Sequence, residues 1–349
     1  VAVPALSRFL GVREKTGGVI REGKFTFRGS ANALDQATFS TRLEAADFRW
    51  GDRRWDTLVL GATVVNGHVQ VPELRLQQTH NALHLKGDFF IPKKGTPWWA
   101  SEFSFDVAGQ IDDIAELSAL FGPRFADTAG TASLEGSIRG QKEGFSGQFN
   151  LTASGLRYRE APVQTLNAAL RLDGKEIRIV NLEIINGADS IRGSGVLSIL
   201  GEKRYSGALK ASIADLTVYH SLLGKPVTPV PLEGGVSITW SGDGSLNAHS
   251  GAFAAAFRQL RTPGTAEIPA TLPVDAELEG TYAPGSLFLN RCHLSHEETK
   301  LDTVVSASAT ALKFDGIRLT WNNARWLEGH VTLPVNLWQW WQKPGLAAL

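Results

Sequence analysis

The densest group of metal-ligand side chains in the sequence is CHLSHEE, residues 292 to 298, with one thiol, two imidazoles and two carboxylates in seven positions. Cys, His and Glu are the zinc-binding types, so this run would hold a metal if its side chains converged. An internal repeat argues against that. It matches Cys292 to Leu74 and Leu182, an apolar position, and puts His296 to Glu298 in a turn before Leu301. His80 and His84 have the i, i+4 spacing that converges on a helix, but they fall in a strand pair around Asn81 to Leu85, where it does not. The glycines of GSG (193 to 195) and SGDGS (241 to 245) read as turn glycines, without the strand–loop–helix setting of a phosphate loop. Asn150-Leu-Thr is a formal glycosylation sequon, and no Gly-x-Ser-x-Gly elbow positions a serine nucleophile. No acid/base pair stands out from the repeats, so the expectation is a protein that is not an enzyme and uses neither metal nor cofactor.

Tryptophans break the regularity at Trp98-Trp99 and at Trp338, Trp340 and Trp341. Such rings suit a membrane interface, a lipid headgroup or a sugar, and equally the packing of a closing helix over a sheet edge. Trp338, Trp340 and Trp341 are carried forward as candidates for headgroup contact.

Composition narrows the setting. The 35 basic and 35 acidic side chains cancel, which leaves no basic field for a nucleic-acid backbone. Thirty-six glycines among short runs of Val, Ile, Leu, Thr and Phe describe many strands broken by turns, hence a mainly β class. A single cysteine, Cys292, excludes an internal disulfide framework. The chain has no methionine, and its opening VAVPALSRFLGV lacks a basic n-region and an unbroken apolar run. The expectation is a segment of a longer polypeptide, with any signal or membrane anchor outside it.

The elements that would carry these residues repeat. WDTLVLGATVVNGHVQVPELRL (55 to 76) and VQTLNAALRLDGKEIRIVNLEI (163 to 184) match without a gap at an offset of 108. APGSLFLNRCHLSHEETKL (283 to 301) follows at an offset of 110. In each copy the apolar spacing runs two, three, two, so the alternation slips by one residue. Such a slip turns side chains to the other face unless a β-bulge absorbs it, and bulges are expected at Pro72-Glu73, Val180-Asn181 and Asn290-Arg291. Strands with glycine punctuation open each unit: GKFTFRGS, GTASLEGS and GGVSITWSG. Short helical runs close them: IDDIAELSALFG (111 to 122), IADLTVYHSLLG (213 to 224) and LPVNLWQWWQKPG (333 to 345). The units are placed at 20–122, 128–224 and 232–345. Each is expected to hold about eight strands in roughly 105 residues, about 24 strands in all, stacked as one array some 100 Å long.

This cadence, carried by TASLEGSIRG and by FNLTASGLRYREAPVQTLNAALRLDGKEIRIVNLEIINGADSIRGSGVLSI, resembles the AsmA-like superfamily of bacterial envelope proteins, which includes TamB-type proteins. The resemblance covers roughly residues 20 to 345 and rests on order and spacing. It implies an elongated, curled repetitive β-sheet, a β-taco or groove with short closing helices. It further implies a periplasmic protein of a diderm bacterium, anchored in the inner membrane by a segment not present here. Such a protein would conduct phospholipid between inner and outer membranes in support of outer-membrane biogenesis, with envelope proteins as possible partners. The resemblance brings no catalytic residues.

The side chains expected to line the groove, or else a sealed core, are Val69, Val71, Leu74, Leu76, Ile177, Ile179, Leu182, Ile184, Leu287, Leu289 and Leu294. Period-two patterning does not separate groove from core. The alternative to a conduit is a non-transporting scaffold of the envelope. A short-repeat adhesin solenoid would show repeats of about 20 to 30 residues, and a β-helical polysaccharide enzyme would show a cleft of acidic side chains; neither pattern is present.

Overall fold

Asn66 and Gly67 hold φ of 51° and 76°, the type I′ pair whose twist suits a two-residue hairpin. They join strand β3 (Arg53–Val65) to β4 (His68–Gln77). Asn322 and Asn323, at 51° and 59°, do the same between β18 (Leu312–Trp321) and β19 (Ala324–Leu333). Hairpins of this kind, repeated along the chain, make a mainly β protein: the described residues form nineteen strands, with consecutive strands paired antiparallel. The computed structural model describes residues 3–4, 15–29, 38–51, 53–91, 101–117, 128–141, 144–158, 161–199, 203–222, 232–245, 248–264 and 269–334.

The chain divides into two units, 1–181 and 182–349. The first contains β1 (Thr16–Arg28), β2 (Thr38–Trp50), β3, β4, β5 (Asn81–Phe90), β6 (Phe103–Ile111), β7 (Thr128–Gln141), β8 (Gly144–Tyr158) and β9 (Ala161–Gly174). Strand β10 (Glu176–Asn186) carries the division. The second unit continues with β11 (Asp189–Ser198), β12 (Arg204–Ile213), β13 (Glu233–Ser245), β14 (His249–Arg261), β15 (Val274–Ala283), β16 (Ser286–His296), β17 (Thr299–Ala307), β18 and β19. A 3₁₀ turn follows β6, η1 (Ile114–Leu117), and another follows β12, η2 (Leu216–Leu222).

The matched stretches of sequence fall on elements six apart: β3–β4, β9–β10 and β15–β17. Among the described residues six strands, rather than the expected eight, separate η1 from η2, and nineteen strands are found rather than about 24. The strands are long, from the nine residues of β6 to the fifteen of β8. Bulges and interior glycines let a ladder continue through points that look like strand ends in sequence. The closing segments are short helices as expected, and their described parts, η1 and η2, are of the 3₁₀ kind. The third closing segment, beyond Pro334, lies outside the described residues, as do Trp98, Trp99, Trp338, Trp340 and Trp341.

Two of the expected bulges are present. The β4–β5 register slips between Val71 and Leu74, across Pro72-Glu73, and the β16–β17 register slips between Leu289 and Cys292, across Asn290-Arg291. Strand β10 has the same pattern of exposure as β16, with Val180 and Asn181 both exposed where Asn290 and Arg291 are. The bulge at Pro72 also removes a ladder donor where proline has none to give.

GSG and SGDGS are not turns. Gly193 and Gly195 lie inside β11, and Gly242 and Gly244 inside β13. Glycine within a strand marks a bend or a close approach of backbones, and a Cβ on Gly195 or Gly242 would stand 2.7 and 2.6 Å from the carbonyl oxygens of Ser206 and Ser250.

Candidate functional site

Residues directly opposite each other in an antiparallel ladder share a face, so the registers sort every side chain. In the first unit one row runs Leu43, Leu60, Leu74, Leu85, Val107 across β2 to β6. The next runs Ala45, Leu58, Leu76, Leu83, Gly109, Leu134, Leu151, Ala168 across β2 to β9. The opposite face is polar. It carries the hydroxyl pairs Thr131–Ser154 (2.9 Å) and Ser133–Thr152 (2.6 Å), the ion pair Lys86–Asp106 (3.7 Å) and the His68–Asp88 hydrogen bond (2.9 Å).

The second unit has the same division. Ile238, Ala255, Leu278, Cys292 and Thr303 form a row from β13 to β17 on the apolar face. The other face is laced by Arg291–Glu277 (2.6 Å), Arg261–Glu233 (2.6 Å) and His293–Asp302 (2.7 Å). Each pair has one partner well exposed to solvent, so individually they contribute little stability.

Among the described residues, little besides Val3 and the closing turn η1 packs onto the apolar faces. Among the described residues no large side chain is fully buried, and Leu83, Phe25 and Phe27 on this face are 38, 46 and 50% exposed. Two small clusters are better packed: Val3, Leu43, Ala45, Phe48 and Leu58, and Ile114 with Ala132 and Ala153, where η1 covers the strand ends.

Of the lining candidates, Val69 and Val71 are buried and Leu74 and Leu76 half-buried, all four on the apolar face of the first unit. Ile177, Ile179, Leu182 and Ile184 are half-buried along β10. Leu287, Leu289 and Leu294 are half-buried and face Tyr282, Gly280 and Ala276. CHLSHEE does not converge, because alternation separates its members. His293 Nδ1 meets Asp302, His296 Nδ1–H donates to the Pro273 carbonyl (2.7 Å), and Cys292 points to the apolar side. Burial, and then the charge of Asp302, push the Cys292 thiol up from its ordinary value, away from reactive thiolate chemistry.

No family model, curated protein or solved structure matches this chain. Among the described residues no helix is long and apolar enough to cross a membrane.

Two polar clusters were not read from the sequence. Asn81, 6% exposed, donates to the Asp113 carbonyl (2.9 Å) and accepts from the Asp113 amide (3.1 Å), while Asp113 caps η1 through the Ala115 amide (2.9 Å). At the matching place in the second unit Asp189 accepts from the Ala214 amide and from the Tyr219 hydroxyl, both at 2.6 Å. Asn186 donates to the same hydroxyl (3.0 Å), and Asp215 caps η2 through the Thr217 amide (2.9 Å). Each cluster latches a closing turn onto the strand that begins at the latch residue.

His80 adds a contact in the first unit. Its Nδ1–H donates to Glu116 Oε1 (2.8 Å), and Asp113 completes a group whose ligand atoms lie within 4.8 Å of one another. The hydrogen bond to Glu116, and then that carboxylate's charge, raise the His80 imidazole above its ordinary value. A raised histidine contributes stability that is fully present below the unfolded value near 6.5 and is lost as pH rises through the folded one. In an NMR titration His80 is expected to titrate above the free imidazole, and Glu116→Gln to return it towards the ordinary value; an unchanged midpoint in that variant would remove the latch role.

Proposed function

We propose that this chain carries lipid non-enzymatically, with the apolar face of its sheet in contact with acyl chains. The observation that supports the reading is that face: rows of aliphatic and aromatic side chains up to eight strands wide in the first unit, with charge confined to the other side. A soluble protein rarely presents a large apolar surface to water unless something occupies it. Each methylene withdrawn from water is stabilised by about 0.8 kcal/mol, and a surface without polar interruptions lets a chain shift along it without a deep trap. The resemblance to AsmA-like and TamB-type envelope proteins suggests the setting. There the cargo would be phospholipid, the place the periplasm of a diderm bacterium, and the direction between inner and outer membranes.

Native mass spectrometry of the chain purified from bacterial cells tests this, beside Leu85→Asp with Val107→Asp on the apolar face and Ala108→Asp on the polar one. Co-purifying phospholipid is expected in the unaltered chain and in the polar-face variant, with loss in the apolar-face pair. A folded chain that holds lipid in no form would reject carriage and leave the envelope scaffold.

A further inference from the structure

Three rows of side chains in the second unit run into β19 and stop there, since among the described residues its only register is with β18. On the apolar face Leu294, Leu301 and Leu319 lead to Leu327, while Leu289, Val305 and Phe314 lead to Val331. On the polar face Asp302 and Arg318 lead to Glu328, alternating in sign. Burial falls off where the rows end. Phe314 and Leu319 are half-buried, whereas Leu327 and Val331 are 54 and 42% exposed. A strand with one unpaired side and exposed aliphatic side chains is a template for another strand. No proline or lysine lies within β19 to block that side.

We infer that β19 pairs antiparallel with β19 of a second copy of this chain, about a two-fold axis at Gly329. The inference is independent of lipid carriage. An axis perpendicular to the sheet keeps the apolar faces of both copies on the same side, and the contact is self-complementary, as a closed dimer requires. It sets Gly329 against Gly329, Leu327 against Val331 and Glu328 against His330, the last two pairs occurring twice. Each apolar row of one copy then continues into an apolar row of the other. His330, which shares the polar face with Glu328 by strand alternation, brings an imidazole to the carboxylate that ends the alternating row. Neighbouring registers are poorer. An axis at Glu328 would set two carboxylates directly opposite, which is destabilising, and one at His330 would set two imidazoles opposite and leave Glu328 against Thr332. The axis itself is unobstructed, for a Cβ on Gly329 would meet nothing within 4 Å.

The test is sedimentation of the full chain over a range of concentrations, beside mild oxidation of cysteine variants with the links mapped by peptide mass spectrometry. A reversible dimer is expected. Gly329→Cys is expected to form a disulfide between the two copies at position 329, because directly opposed residues have Cα atoms about 4.5–5.5 Å apart, within disulfide reach. His330→Cys, which would face Glu328, is expected to form none with itself. Glu328→Lys is expected to weaken association about ten-fold, by turning two cross-strand attractions into repulsions, and adding His330→Glu to that variant is expected to restore it. A chain monomeric at every concentration would overturn the pairing and leave the β19 edge to a different polypeptide. Links forming equally at positions 329 and 330, or a dimer indifferent to Glu328→Lys, would overturn it as well.

Discussion

Asp189→Ala is expected to destabilise the second unit by about 2–4 kcal/mol, because it strands a backbone amide and a phenol. Asp189 is 9% exposed and accepts from the Ala214 amide and Tyr219 hydroxyl, so the alanine leaves both donors without that partner. Asn186 donates to the Tyr219 oxygen and cannot take its proton. Burial, then the bond to Asp189, hold that phenol above its ordinary value, and without the aspartate the upward push from the carboxylate goes. The check is amide hydrogen exchange over β11, β12 and η2 together with the urea midpoint. Asp189→Asn keeps an acceptor oxygen and is expected to lose less. Equal stability of the alanine variant would mean that η2 is held by its apolar residue Leu216 alone.

Ala45→Asp is expected to cost the first unit more, above about 3 kcal/mol, by placing an unpaired carboxylate in a water-excluded site. Ala45 has no exposed surface and packs among Leu43, Phe48 and Leu58, with Ile20 and Trp55 against them. Nothing in that cluster can donate to a carboxylate except the Trp55 indole. Limited proteolysis should show cleavage in β1 to β3 with the second unit protected; protection throughout would mean that the cluster opens at little cost. Ala45→Ser, which adds a smaller polar group, is expected to be milder.

The class, the strand-rich pattern and the repeat were legible in the sequence because alternation has period two and glycine punctuates it. The slips at Pro72-Glu73 and Asn290-Arg291 were legible as bulges for the same reason: a broken period has only one local remedy. The strand count was not legible, since a bulge or an interior glycine such as Gly195 looks like a strand end when seen without its neighbours. The latches were not legible either. Asn81 and Asp113 are 32 residues apart, as are neither charges of one motif nor members of one hairpin. The alignment of Gly195, Gly207, Gly242 and Gly251 across β11 to β14 needs three registers at once, and a single strand shows only one glycine of it. How far the apolar face is covered is likewise a property of what stands opposite it, and period-two patterning is the same with or without a covering layer.

Every described register joins strands that are consecutive in the chain, and the type I′ turns at Asn66-Gly67 and Asn322-Asn323 close loops of two residues. Native contacts are therefore local in sequence despite the all-β class, and little loop entropy is lost before a contact rewards it. Folding can start at whichever hairpin forms first and extend strand by strand, each new strand using the last one's open edge as its template. Refolding should therefore be faster than in a β-sandwich of equal length, and truncation at a hairpin turn should leave the preceding strands able to fold. A chain made in this way can gain or lose a six-strand block without relearning how to fold.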